Sequence, residues 1–127
     1  MATKTNHVYF NSRDILLRVD LSSVVYFEAD GNYTKFVSIN GRSDMVGINL
    51  SRMEELLARR ASHATTTFVR VGKRYILNTN YVYCINTLKQ ELVLSDQHSF
   101  CHTISISKVA LKALKDIISP QPKTDKK

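Results

Sequence analysis

Apolar residues in this chain fall in short runs separated by turn-forming residues. Val8-Tyr9-Phe10, then Asn11-Ser12-Arg13-Asp14, then Ile15-Leu16-Leu17-Arg18-Val19 reads as strand, turn, strand. Asp20-Leu21-Ser22-Ser23 is a connection in which Leu21 is an apolar plug. Two β-prone runs follow, Val24 to Ala29 and Tyr33 to Ile39, joined across Asp30-Gly31-Asn32. Asp-Gly tolerates the positive φ of a tight hairpin, and Val, Tyr, Phe and Ile suit a half-buried pleated surface. Asn40-Gly41 signals a second turn, and Ser43 to Ile48 pairs back.

The period then lengthens. Leu50, Met53, Leu56 and Leu57 share one helical face, Ser51 with Glu54 forms a capping box, and the helix fades by Arg60-Ala61. After the polar loop Ser62 to Thr67, Phe68-Val69-Arg70-Val71 is extended, Gly72-Lys73-Arg74 turns, and Tyr75-Ile76-Leu77 resumes. Further strands are predicted over Tyr81 to Ile85, Leu88 to Leu94 and His98 to Ile104. Ser105 or Ser107 caps a last helix, with Val109, Leu111, Leu114, Ile117 and Ile118 as its apolar face, and Pro120 and Pro122 end it. The expectation is a mostly β domain over residues 8–119, with eight to ten short strands in small antiparallel sheets and two short helices. Residues 1–7 and the basic tail 120–127 are expected to be disordered.

The chain has 127 residues, 43% of them hydrophobic and 23% charged, which suits one soluble domain with a real core. No run is long enough to span a membrane and the polar N-terminus lacks a signal-peptide core, so the expected location is cytoplasmic. Cys84 and Cys101 read as free thiols packed as small hydrophobes. The formal net charge is +7, of which the tail 120–127 supplies +2. Such a balance draws polyanions without choosing among nucleic acid, acidic membrane and acidic protein. The two helices lie too far apart for a helix-turn-helix, so any reading of DNA falls to loops and strand ends.

Two blocks narrow the choice. Tyr26-Phe27-Glu28-Ala29-Asp30-Gly31-Asn32-Tyr33-Thr34-Lys35 and Phe68-Val69-Arg70-Val71-Gly72-Lys73-Arg74-Tyr75-Ile76-Leu77-Asn78 closely resemble the signature blocks of the LytTR family of bacterial DNA-binding domains. The leucine-containing helix Leu50 to Leu57, Tyr81-Val82 and Ile106-Ser107-Lys108 fit the same pattern, so the resemblance covers roughly residues 8 to 118. The chain departs from it at Gly72, where His is common, and at Val109, where a second basic residue is frequent.

The resemblance implies small antiparallel sheets in series and sequence-specific binding to double-stranded promoter DNA, with loops entering successive major grooves. It places base or groove contacts at Thr34, Lys35, Lys73, Arg74 and Lys108. Arg42, Arg70, Lys112 and Lys115 are the candidates for phosphate contacts. Arg70 has a structural alternative, pairing with Glu28 or Asp30; Glu28 is expected to orient a cation, and Asn78 to fix a turn. Tyr33 and Tyr75 are expected in the core rather than as base-stacking platforms. A homodimer on two half-sites is a further expectation from the family. Family members often carry an N-terminal receiver domain; this chain opens just before its first strand, which reads as a one-domain regulator or a fragment.

His98-x-x-Cys101-His102 carries metal-ligating residue types, but on a strand Cys101 faces away from both histidines and no second pair completes a tetrahedral set. No metal or cofactor, no small-molecule substrate and no catalytic constellation is indicated. The reading is a response-regulator-like transcription regulator. Its rivals are a protein-interaction module of the same fold and, less favoured by the residues, a small enzyme.

Overall fold

The computed structural model describes residues 7–60 and 68–119, so the predicted loop 62–67, residues 1–6 and the tail 120–127 lie outside it. Strand β1 (His7–Asn11) pairs antiparallel with β2 (Leu16–Asp20) as a two-stranded sheet. A 3₁₀ turn, Leu21–Ser23, leads into β3 (Val24–Asp30), β4 (Tyr33–Ser38) and β5 (Ser43–Val46). Helix α1 (Leu50–Arg59) follows, then β6 (Phe68–Val71) and β7 (Tyr75–Asn78). A second 3₁₀ turn, Thr79–Tyr81, precedes β8 (Val82–Asn86), β9 (Glu91–Ser95), β10 (Cys101–Ser105) and helix α2 (Lys108–Ile118). The central sheet has the order β5-β4-β3-β7-β6, and the third sheet the order β10-β9-β8.

Every pairing is antiparallel, and the small sheets in series match the β-rich expectation. The first strand takes in His7, one residue earlier than the sequence pattern placed it.

Both faces of the central sheet are covered. On one face Val24, Phe27, Phe36 and Ile76 meet Val8 and Val19 of the first hairpin and Leu50, Met53 and Leu57 of α1. On the other, Val25, Tyr26, Val71 and Leu77 meet Leu92, Leu94 and Ile104 of the third sheet and Leu111 and Leu114 of α2. In β7 the two-residue period sends Ile76 one way and Leu77 the other. In β3 the alternation slips: Val25 and Tyr26 share a core, and the register against β4 shifts between Val24 and Tyr26. A bulge there absorbs one extra residue and lets four successive apolar side chains be buried.

Two helix expectations change. The α1 cap is Asn49, whose side chain accepts from the Arg52 N–H at 2.9 Å, and the Ser51–Glu54 capping box does not form. Starting at Leu50 puts Leu50, Met53 and Leu57 on the buried stripe, and Asn caps as well as Ser. At α2 it is Ser107 that caps, accepting from the Ala110 N–H, while Val109 is 80% exposed and Ile117 lies outside the core. The stripe that faces the sheet is Leu111, Leu114 and Ile118; Val109 is too far round the helix to join it.

Asn78 closes β7. It is fully buried, its side-chain N–H donates to the Val24 carbonyl at 2.8 Å, and its oxygen accepts from the Asn80 N–H at 3.0 Å. The turn-fixing role expected of it is thus joined to a tie across to β3. Leu21 is buried as the expected plug, and the Tyr81 hydroxyl donates to the Ser22 carbonyl at 2.7 Å, linking the two 3₁₀ turns. Asn78→Ala orphans a buried carbonyl and should cost about 1–3 kcal/mol, read as a lower urea midpoint at unchanged slope.

Candidate nucleic-acid interface

The β3–β4 register pairs Asp30 with Tyr33, leaving Gly31-Asn32 as a two-residue loop. Gly31 takes φ 61°, and glycine at this first loop position suits the II′ geometry that matches strand twist. Beyond the loop the strand period decides what each side chain can touch. Thr34 points into the first core, is fully buried, and its hydroxyl donates to the Ile48 carbonyl at 2.8 Å. The expected base contact by Thr34 is therefore corrected: the group is spent inside the protein. Lys35 points to the opposite face, flanked by Glu28 on β3 and Met45 on β5. Tyr33 is 54% exposed rather than in the core, because it sits at the strand end, beyond the layers that cover the sheet.

The second tip is Gly72-Lys73-Arg74, which connects β6 to β7 between the paired residues Val71 and Tyr75. Gly72 takes φ 65°, and the side chains of Lys73 and Arg74 are exposed. Arg70 lies behind this loop. Its guanidinium donates to the carbonyls of Gly72 (3.2 Å) and Lys73 (3.1 Å) and to the Glu54 carboxylate of α1 (2.8 Å). The guanidinium named as a phosphate contact is thus engaged within the protein, and its acidic partner is Glu54 rather than Glu28 or Asp30. No spacing rule in the sequence links positions 54 and 70; they meet because α1 lies across the face of the central sheet that carries Ile76, the cross-strand partner of Arg70.

Glu28 pairs with Arg74 instead, at 2.7 Å, with the guanidinium 65% exposed and the carboxylate 18%. This fits the expected orienting role of Glu28. The Arg74 carbonyl accepts from the Ala29 N–H at 2.8 Å, so the loop is also tied to β3. The Arg74 guanidinium lies 5.7 Å from the Tyr75 ring centre, within cation–π range. Tyr75 packs edge-on against Tyr26, which agrees with its core reading. Burial, then the nearby Glu28 charge, pushes the Tyr75 hydroxyl above its ordinary pKa, and the same two causes push Tyr26 up to about 12. Both phenols are therefore neutral in ordinary solution.

The register places Lys35, Glu28 and Tyr75 side by side on β4, β3 and β7. Adjacent strands lie about 4.8 Å apart, so the backbones carrying Lys35 and Tyr75 are separated by about 10 Å. One carboxylate thus stands between two cationic elements on one face of one sheet.

Lys108 is exposed at the first position of α2, and Lys112 and Lys115 follow it at helical spacing, also exposed. Helix α2 touches β6 and β8 and packs Leu111 and Leu114 on the side of the sheet that carries Lys35 and Glu28, with its lysines exposed. Arg42 is placed at the β4–β5 turn, in a two-bond pair with Asp44 at 2.9 and 3.2 Å. Among the described residues, ion pairs hold Arg42, Arg70 and Arg74, and none holds Lys35, Lys73 or Lys108.

Elsewhere, a cleft of about 530 Å³ lies between the first hairpin and the β4–β5 end, lined by Tyr9, Ile15, Tyr33 and Met45 among others. It has no charged lining side chain. Cys84 and Cys101 are exposed free thiols on β8 and β10, not the packed hydrophobes expected. His102 stacks on Tyr26, and among the described residues no three His, Cys, Asp or Glu are grouped to hold a metal ion. Among them, too, no helix is long and apolar enough to cross a membrane.

The LytTr DNA-binding domain family matches residues 14–119 of the chain. No curated protein matches it. Among solved structures the fold is similar to the LytTr DNA-binding domain of a Bacillus cereus protein described as a methyl-accepting/DNA response regulator. The TM-score is 0.64 at 19% identity, over 91% of this chain and 98% of that one. The family match spans both cationic tips and the start of α2, and the chain belongs to the LytTr DNA-binding domain family.

Proposed function

We propose that the protein is a transcription regulator that reads double-stranded promoter DNA sequence-specifically. Lys35, Lys73, Arg74 and Lys108 enter successive major grooves, and Lys112 and Lys115 neutralise phosphates. The observation that carries this is the cross-strand row: Glu28 stands between Lys35 and Tyr75 on one face of one sheet and pairs with Arg74 of the Gly72-Lys73-Arg74 tip. Lys and Arg donate to guanine O6 and N7 and so distinguish bases, whereas contacts to phosphate fix register alone. Arg74 is the best placed of these side chains, because its carboxylate partner and the Tyr75 ring hold a planar fork facing solvent. Two copies on two half-sites, in the cytoplasm, complete the proposal. Neither catalysis nor a small-molecule substrate has a part in it.

A protein-interaction module is favoured by one observation, the uncharged apolar cleft beside Tyr33. The two readings separate on salt and sequence. Selection from a random duplex library, followed by gel shifts at two salt concentrations, should enrich one sequence and show affinity falling steeply with salt. Absence of any enriched sequence would overturn the DNA reading.

On the enriched duplex, Lys73→Ala should cost about 1–3 kcal/mol and relax the preference at one position. Lys112→Ala should weaken all duplexes alike and lower the salt slope by about one. Thr34→Val keeps the shape but orphans the Ile48 carbonyl. It should lower stability by about 1 kcal/mol, measured by urea titration, and leave DNA affinity within about twofold. A large affinity loss in a stably folded Thr34→Val protein would restore Thr34 as a reader.

A further inference from the structure

We propose that Arg70 is the positioning residue of the Gly72-Lys73-Arg74 tip, and that Glu54 of α1 anchors it. The proposal rests on the DNA reading above and adds what fixes the tip's shape. The carbonyl of each of the three tip residues is held by a donor from outside the tip. Arg70 Nε–H donates to Gly72 at 3.2 Å, an Arg70 terminal N–H donates to Lys73 at 3.1 Å, and the Ala29 N–H donates to Arg74 at 2.8 Å. Two of these three bonds come from one guanidinium, whose rigid fork matches two oxygens at once. The opposite edge of that fork is fixed by Glu54 at 2.8 Å. The side chain of Arg70 is largely withdrawn from solvent, 25% exposed, so it acts from behind the tip.

A three-residue loop opened by a glycine at positive φ has little of its own to define it. Ordering such a loop at the moment of binding subtracts from affinity, and most from the geometry-dependent contacts to base edges. Phosphate contacts tolerate displacement far better, being governed by charge. Arg70 and Glu54 therefore set the preference for one sequence and leave general attraction to DNA untouched. They also couple α1 to the tip, since Glu54 belongs to α1 and adjoins the buried Met53.

Glu54 gives the test its discriminating sign. Removing an acidic residue from a DNA-binding protein strengthens or leaves unchanged its attraction to phosphates. Positioning by Glu54 predicts the opposite for the chosen sequence. In Glu54→Ala, an exposed helical site where the fold is retained, affinity for the enriched duplex should fall about threefold. Affinity for a random duplex should hold or rise. Arg70→Lys keeps the charge and loses the fork; the enriched-to-random ratio should fall about tenfold at an unchanged salt slope.

Equal losses on both duplexes would make Arg70 a phosphate contact, and no loss on either would remove it from the site; each overturns the proposal. The free protein supplies an independent reading. Arg70→Lys should move the backbone amide resonances of Gly72, Lys73 and Arg74 and raise their fast-timescale mobility. An unmoved loop overturns the positioning role even where wild-type protein prefers no sequence, the outcome that defeats the DNA reading instead.

Discussion

Strand β3 is the constraint on which the rest depends. It pairs with β4 on one side and β7 on the other, and its first four residues, Val24 to Phe27, are buried in two different cores. Such burial on both faces is worth about 3–5 kcal/mol for a residue like Phe27 relative to Ala. It also removes any freedom of register, because a one-residue slip would exchange the two cores. The bulge at Val25 is the local cost of satisfying both. Everything at the open end of the strand inherits this fixed register: Glu28 opposite Lys35 and Tyr75, Ala29 bonded to the Arg74 carbonyl, and Asp30 closing the hairpin.

The candidate interface is thus a by-product of sheet geometry, with mixed charge rather than a plain basic patch. Glu28 seated between Lys35 and Arg74 reduces the local positive field and so gives up some non-specific attraction. It gains a defined direction for the Arg74 fork. The surface lysines of α2 carry no such partner among the ion pairs of the described residues, which suits groups whose task depends on charge alone. On the proposed reading, the anchored tips read bases and the helix lysines neutralise phosphates.

Strands, turns and both helices were legible because their signals are local: alternation in Leu92 to Leu94, glycine turns at Gly31, Gly41 and Gly72, and heptad-like spacing through Met53 and Leu57. The block pattern also pointed to the LytTr family. What was illegible depends on which way a side chain faces after packing. Thr34 and Lys35 are neighbours in every motif, yet only one of them can reach a ligand. Arg70 and Arg74 look interchangeable in Phe-Val-Arg-Val-Gly-Lys-Arg-Tyr, and their partners are assigned by the fold: Glu54 by α1 lying across one face of the central sheet, Glu28 by the β3–β7 pairing. Val109 and Ile117 continue an apolar count along α2 but fall outside the stripe that meets the sheet. These misses are questions of facing, which a single chain of letters does not fix; the Asn49 cap is instead a shift of a helix boundary.

The central claim is that the two cationic tips and the start of α2 form one reading surface. Its most direct test is backbone amide shift mapping of the full chain while the library-selected duplex is added. The account predicts that the largest changes cluster at Asn32 to Lys35, Gly72 to Tyr75 and Ser107 to Lys112, with Thr34 moving only as a neighbour. Changes centred on Tyr9, Ile15 and Met45 around the apolar cleft, with the Gly72-Lys73-Arg74 tip unmoved, would contradict it.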